Sequence, residues 1–417
     1  MERIIAHSDC NCFYASVEML RNPRLRDIPF AVCGSKEDRH GIVLTANYPA
    51  KNRGVKVGMA IWEAKQRCEG LHTVSPHMDD YVQFSGFVRD IYAKYTDRIE
   101  SFGLDECWLD LSGYVPKFSE GTAVVNDIRD RIRRELGITV SVGLSDNKVF
   151  AKLGSDMKKP DATTTIPRGQ HRELVWPLPV GDLLYVGRAT QKKLYAYNVR
   201  TIGELAQTEP NLLKTWFGKN GLVLHAFANG EDLAPVAKMD TSQPVKSVGN
   251  SHTAPRDLKT DDDVKIVIYA LAESVGMRLM EQGFLARTVE FSYIDSDMQR
   301  RGNHQCKLTL PTCVSGELAD AAFMLFRQVY GHWPKPLRGI GVRGSDLLDA
   351  SIPRQLSIFD NPERVDAKVN LERAVNEIRR RYGNKAIQRA IMYTMPDLSR
   401  VDAKRDHKNT FGGSQIA

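Results

Sequence analysis

Ile4-Ile5-Ala6-His7-Ser8-Asp9-Cys10-Asn11-Cys12-Phe13-Tyr14-Ala15-Ser16-Val17-Glu18 carries the plan of the chain. Residues 4–8 form an apolar run that reads as a strand, and Asp9 closes it. From 14 to 20 the apolar spacing becomes helical. A carboxylate therefore stands at a strand end, just ahead of a helix. Outward from this stretch the alternation continues. Further strands are expected at 30–33, 42–45, 98–102, 107–111 and 139–143, with helices at 81–95 and 122–136. Such a mixture predicts an α+β layer, a sheet with helices packed on one face.

Two more carboxylates, Asp105-Glu106, lie between Ser101-Phe102-Gly103-Leu104 and Cys107-Trp108-Leu109-Asp110-Leu111, inside a predicted hairpin. Phosphoryl transfer onto a 3′-hydroxyl uses two divalent ions about 4 Å apart, one activating the attacking oxygen and one neutralising a triphosphate. Magnesium takes hard oxygen ligands and keeps several waters, so a few carboxylates at strand ends suffice. An Asp-Glu pair is also an ordinary turn sequence. Adjacent strand residues point to opposite faces, so both side chains reach one metal site only where the chain twists or turns. Gly103 supplies a place for that.

Downstream, 167–235 reads as short helices with polar turns: 180–184, 190–197, 201–207, 210–216 and 221–228. The stretch from Pro235 to Pro244 is polar and without periodicity, as a linker would be. A third region follows with a strand at 245–252, a helix at 262–282, strands at 286–293 and 306–310, a helix at 315–330 and a strand at 339–347. This βαββαβ order predicts the ferredoxin-like split arrangement. One amphipathic helix, 365–382, ends at Gly383-Asn384, and the polar terminus beyond is expected to be disordered.

At 417 residues, with 42% apolar and 26% charged positions, the chain has the make-up of a multidomain globular protein. No apolar run approaches the roughly 20 residues of a membrane span, and the charged start Met1-Glu2-Arg3 does not read as a signal peptide. Cysteines at 10, 12, 33, 68, 107, 306 and 313 form no Cys-x-x-Cys pair, which suits reduced thiols in the cytoplasm. The net charge of +7 is uneven: residues 1–166 carry 23 basic and 23 acidic side chains, and the tail from 355 carries 12 and 8. A modest basic excess agrees with a phosphate-backbone partner, though many proteins reach it without one.

Three motifs together identify a relationship. His7-Ser8-Asp9-Cys10-Asn11-Cys12-Phe13-Tyr14-Ala15-Ser16-Val17-Glu18 resembles the opening motif of Y-family DNA polymerases, and Ser101 to Asp110 resembles their second carboxylate motif. Ser141-Val142-Gly143-Leu144-Ser145-Asp146-Asn147-Lys148 through Lys158-Lys159-Pro160 resembles the third. The resemblance runs to about residue 390 and is nearest the bacterial polymerase IV and UmuC-like branch. It implies a ferredoxin-like palm with small fingers (1–166, fingers about 20–77) and a helical thumb with a helix-hairpin-helix (167–235). A linker (236–246), a βαββαβ little finger (247–350) and a tail (351–417) complete the division. The implied activity is template-directed, error-prone and lesion-bypassing synthesis without proofreading, on primer-template DNA with deoxynucleoside triphosphates, by a cytoplasmic monomer.

The resemblance also implies roles. Asp9, Asp105, Glu106 and the Cys10 carbonyl would hold two Mg²⁺ ions, with Asp105 and Glu106 as the catalytic pair. Tyr14 would be the steric gate that meets a 2′-hydroxyl; the other reading is a core tyrosine. Tyr48, Lys51, Arg53 and Lys159 would handle the triphosphate. The family's usual Arg is Lys51 here, which loses the bidentate fork, while Arg53 stands two residues on. Asn11 replaces the second Asp of many polymerase IV sequences. Gly187 and Arg188 would meet a DNA phosphate in the hairpin, where Tyr185 replaces a glycine. Arg287, Lys307, Arg338 and Arg343 would contact DNA from the third region, or merely solvate strand faces. Gln355, Leu356, Ile358 and Phe359 match the peptide by which bacterial polymerases dock on the sliding clamp (β subunit). Two rivals share parts of this pattern: a silent DNA- or clamp-binding protein of the same fold, and a nucleotidyl cyclase with a similar palm.

Overall fold

A computed structural model describes residues 2–34, 41–239, 241, 244–330, 335–352 and 361–399. They form two compact units, one of Met1–Cys33 with Ile42–Thr241, the other of the described residues from 244 onward.

The first unit contains β1 (Ile5–Cys10), β2 (Phe30–Cys33), β3 (Val43–Ala46), β4 (His72–Val74), β5 (Ile99–Ser101), β6 (Glu106–Asp110), β7 (Val140–Ser145) and β8 (Thr163–Ile166). Its main sheet runs β5-β6-β1-β7-β8, antiparallel except for β7 with β8. β5 and β1 are thus parallel with β6 between them, the split βαβ arrangement. β1 is buried along its whole length. On one side Tyr92 donates to Ser8 Oγ at 2.8 Å, and Ala6 and Cys10 pack with the helices Met78–Tyr92 and Phe118–Leu136. On the other side Ile5 packs with Ala151, and His7 Nδ1 meets Ser155 Oγ at 2.9 Å.

Helices therefore cover both faces of this sheet, not the one face expected. The second layer is the helix Lys148–Met157, started by Asn147, whose side chain accepts from the Phe150 N–H at 2.8 Å. It can lie so close because β7 offers Gly143: a Cβ there would stand 1.9 Å from the Ala151 carbonyl oxygen. Its apolar side, Val149, Phe150 and Leu153, continues into a cluster built on Val180, Leu194, Ile202, Leu205 and Leu213 from the short helices. A small sheet, β3-β2-β4, carries the helices Tyr48–Lys51 and Ile61–Arg67. The start of the linker is laid on the main sheet. Arg3 donates to the Asp232 carbonyl at 2.7 Å, Ala237 N–H donates to Glu100 at 3.0 Å, and Val236 is buried.

The second unit has β9 (Ser247–Leu258), β10 (Phe284–Asp295), β11 (Arg301–Thr312) and β12 (Leu337–Asp349), with the helices Asp261–Glu281 and Ser315–Val329. The βαββαβ order is as expected, and both crossovers are split. The sheet order, however, is β11-β10-β12-β9, so the second and fourth strands are central. In the first unit's sheet the first strand and the later arm of the hairpin hold those places. The ferredoxin-like arrangement thus describes the first unit, and the second unit is a different solution of the same element order. One sheet face, with Val289, Phe291, Val342 and Ile340, packs on the two helices. The tail also differs from expectation. Beyond Gly383 the chain forms the helix Ala390–Thr394 and buries Met392 and Leu398, and Arg379 and Arg389 both pair with Glu273, at 2.8 and 3.2 Å. Among the described residues no helix is long and apolar enough to cross a membrane.

Candidate active site

The register of β1 and β6 sets Asp9 directly opposite Glu106, so these two share a face. Asp105 lies outside β6, in the bend closed by the Phe102 N–H to Glu106 carbonyl bond of 2.8 Å, with Gly103 at φ +104. Its carbonyl accepts from the Cys10 N–H at 2.9 Å. The turn anticipated at Gly103 is what brings adjacent carboxylates to one place.

A cleft of about 290 Å³ opens there, lined among others by Asp9, Cys10, Tyr14, Tyr48, Lys51, Asp105 and Lys159. Lys159 Nζ is 2.9 Å from Asp9, and Lys152 Nζ is 2.6 Å from Glu106 and 3.6 Å from Asp9. Both lysines also hold Asp156. Burial opposes the Glu106 charge, but His7, with Nε2 3.3 Å from the carboxylate, and the Lys152 ammonium outweigh it and hold the carboxyl down at about 2. Among the described residues Asp105 is in no ion pair, and Lys152 acts on it only from a distance. Burial, with Glu106 and Asp9 adding like charge, pushes it up to about 7. Among the described residues no three His, Cys, Asp or Glu side chains already converge on one point.

Lys152 and His7 carry no role in the sequence reading. The available signal was spacing: Lys152 and Asp156 are one helical turn apart, and His7 shares the Asp9 face of β1. Asn11 stays out of the cleft. It donates to Ser141 Oγ and accepts from Thr139 and from the Asp161 N–H at 2.8–3.0 Å, a buried tie that uses both ends of the amide. Phe13 is buried, while Tyr14 is half-buried and stacks on Tyr81 with centroids 4.3 Å apart. Lys51 lines the cleft, its ammonium 5.3 Å from the Tyr48 ring centre. Arg53 turns away, donating to the Glu69 carbonyl at 3.4 Å.

Outside the cleft, Gly187 caps the helix Arg188–Ala196, with Arg188 exposed at its first position. Tyr185 adopts φ +68, the conformation of the glycine it replaces. In the second unit Lys307 and Arg343 are exposed on strands whose register puts them on the helix-free face, with Arg301 farther along the same face of β11. Arg343 lies over Gly249, where a Cβ would stand 2.8 Å from its own. Arg287 falls at a register break and pairs with Asp346 at 2.6 Å, and Arg338 is half-buried beside another break. The peptide Gln355, Leu356, Ile358, Phe359 lies outside the described residues.

Comparison with known proteins agrees with this architecture. Residues 8–156 match the impB/mucB/samB family, 245–358 its C-terminal domain, and 181–232 the DNA polymerase-iota thumb domain. DNA polymerase IV of Acetivibrio thermocellus is 49% identical over 96% of this chain and 100% of its own length. DNA polymerase IV 1 of Bacillus subtilis is 36% identical, over 93% and 92%. A solved Y-family polymerase chimera of Dbh and Dpo4 superposes with a TM-score of 0.73 at 24% identity, over 83% of this chain and 99% of its own. The chain belongs to the Y family of DNA polymerases. It is a template-directed, DNA-directed DNA polymerase of the polymerase IV type.

Proposed function

We propose that the cleft is the site of nucleotidyl transfer: a deoxynucleotide is added to a primer 3′ end, with pyrophosphate released, by two-metal-ion chemistry. The observation that carries this is that Asp9, Cys10 and Asp105 line one cleft with Tyr14, Tyr48, Lys51 and Lys159. The donor set suits Mg²⁺, being hard oxygen, and burial, with Glu106 and Asp9 close by, makes Asp105 a carboxylate that a bound cation would favour in its charged form. Two such ions, when bound, would supply activation of the attacking oxygen and neutralisation of the triphosphate. Asp9, Asp105, Glu106 and the Cys10 carbonyl would hold them. Lys159 and Lys51 contribute positive charge for the phosphates, with Tyr48 as a hydroxyl donor, and the geometry favours Lys51 over Arg53. Tyr14 presents its ring to the incoming sugar, where a 2′-hydroxyl would collide.

On the same reading the chain divides into palm and fingers (1–166), thumb (167–235), linker (236–246), little finger (247–350) and tail. Gly187 and Arg188 of the thumb, and Lys307 and Arg343 of the little finger, meet DNA phosphates. Synthesis is error-prone, bypasses lesions and lacks proofreading. The enzyme works in the cytoplasm as a monomer, recruited to the sliding clamp through Gln355, Leu356, Ile358 and Phe359. Primer extension with Mg²⁺ and four deoxynucleotides, beside Asp105→Ala/Glu106→Ala, tests the centre of this. Extension by the natural chain alone is expected; equal extension by both would remove the carboxylates from the mechanism.

A further inference from the structure

Behind Tyr14 stands a second tyrosine with no water access. Tyr81 is fully buried, and its ring lies parallel to that of Tyr14, at 4.3 Å and 9°. Its hydroxyl donates to Glu18, a carboxylate only 2% exposed. Glu18 is itself fixed by His77 Nδ1 at 2.8 Å and by Arg21 at 3.8 Å. Arg21 is in turn paired with Asp80 on the helix Met78–Tyr92, which carries Tyr81. Glu18 and Tyr14 sit four apart on the helix Phe13–Arg21, so one short helix holds both the ring that meets substrate and the anchor of the ring behind it. A cleft of about 350 Å³ opens on the Glu18–His77 side of this anchor.

We propose that Glu18 and Tyr81 are positioning residues for sugar discrimination: the buried Glu18 carboxylate locks Tyr81, and Tyr81 backs the Tyr14 ring against tilting when a ribonucleotide presses on it. The inference rests on Tyr14 being the steric gate, and it assigns the rigidity of that gate to a hydrogen bond two side chains away. A core packing role alone would not need the phenol oxygen, because the ring supplies the contact area.

The test is steady-state insertion of dCTP and rCTP opposite template G by the full chain, for the natural enzyme, Tyr81→Phe, Glu18→Ala, the double variant and Tyr14→Ala. Tyr81→Phe keeps the ring and should lower the dCTP-to-rCTP ratio of kcat/KM by about tenfold, the scale of one hydrogen bond to a charged group. Glu18→Ala should lower it similarly, and the double variant no further, since both remove one bond. Melting curves separate folding defects from this effect, with Tyr81→Phe as the variant least able to disturb packing. If Tyr14→Ala loses discrimination while Tyr81→Phe and Glu18→Ala keep the natural ratio, the backing role is overturned and the gate stands. If Tyr14→Ala itself keeps the ratio, the gate reading fails and takes this inference with it.

Discussion

Tyr185 holds φ +68 at a turn where a glycine would rest without strain. A side chain in that region costs about 1 kcal/mol, offset here by a tilted contact with Phe227 at 6.0 Å. Tyr185→Gly should therefore raise the melting temperature of the first unit, by a stabilisation of about 0.5–1 kcal/mol in calorimetry; a drop would mean that the Phe227 contact dominates. At this scale the positions of Asp9, Asp105 and Glu106 were legible, because the motifs set them at a strand end and at the turn beside Gly103. Their counter-charges were not. Lys152 reaches Glu106 and Asp9 from the helix packed on their own face of the sheet, a pairing between elements far apart in the chain.

The helix Lys148–Met157 depends on one missing methyl group. Gly143→Ala would drive a Cβ into the Ala151 carbonyl, so the helix must move and carry Lys152 with it. The expected result is a loss of about 1–3 kcal/mol in stability together with a fall in kcat, read from denaturation and primer extension. The helix Asp261–Glu281 shows the opposite case, a start written into the sequence. Thr260 and Asp263 form a reciprocal capping box, and Asp263 also pairs with Arg256 at 2.7 Å. Burial works against the Asp263 charge, but Arg256 and the N–H groups of Lys259 and Thr260 outweigh it and lower its pKa below the ordinary 3.8. Its contribution is thus complete above that value and is lost as pH falls through the lower folded value. Asp263→Asn should destabilise the second unit by about 1–2 kcal/mol at pH 7, and the difference from the natural chain should shrink below pH 4. A difference that stays constant as the pH falls would assign the effect to packing.

For the molecule as a whole, the charge of +7 matters less than where the exposed cations stand. Lys307 and Arg343 face outward from the helix-free side of the second sheet, whereas Arg287 is occupied by Asp346. Lys307→Ala and Arg343→Ala should weaken primer-template binding and reduce the slope of log Kd against log salt by about one each, with Arg287→Ala changing it less. Equal slopes for all three would place DNA elsewhere.

The sequence by itself determined the family, the positions of the three acidic residues and the βαββαβ order of the second unit, each written in contiguous motifs or local period; it did not mark β4, β8 or the helix Lys148–Met157. Only the tertiary structure decided which strands are central, which face Lys152 serves, that Lys51 and not Arg53 lines the cleft, and that residues 390–398 pack instead of trailing free. The physical reason is that periodicity records whether a side chain is buried. It does not record against what, and partners 50 to 150 residues away are chosen by register and packing across the sheet.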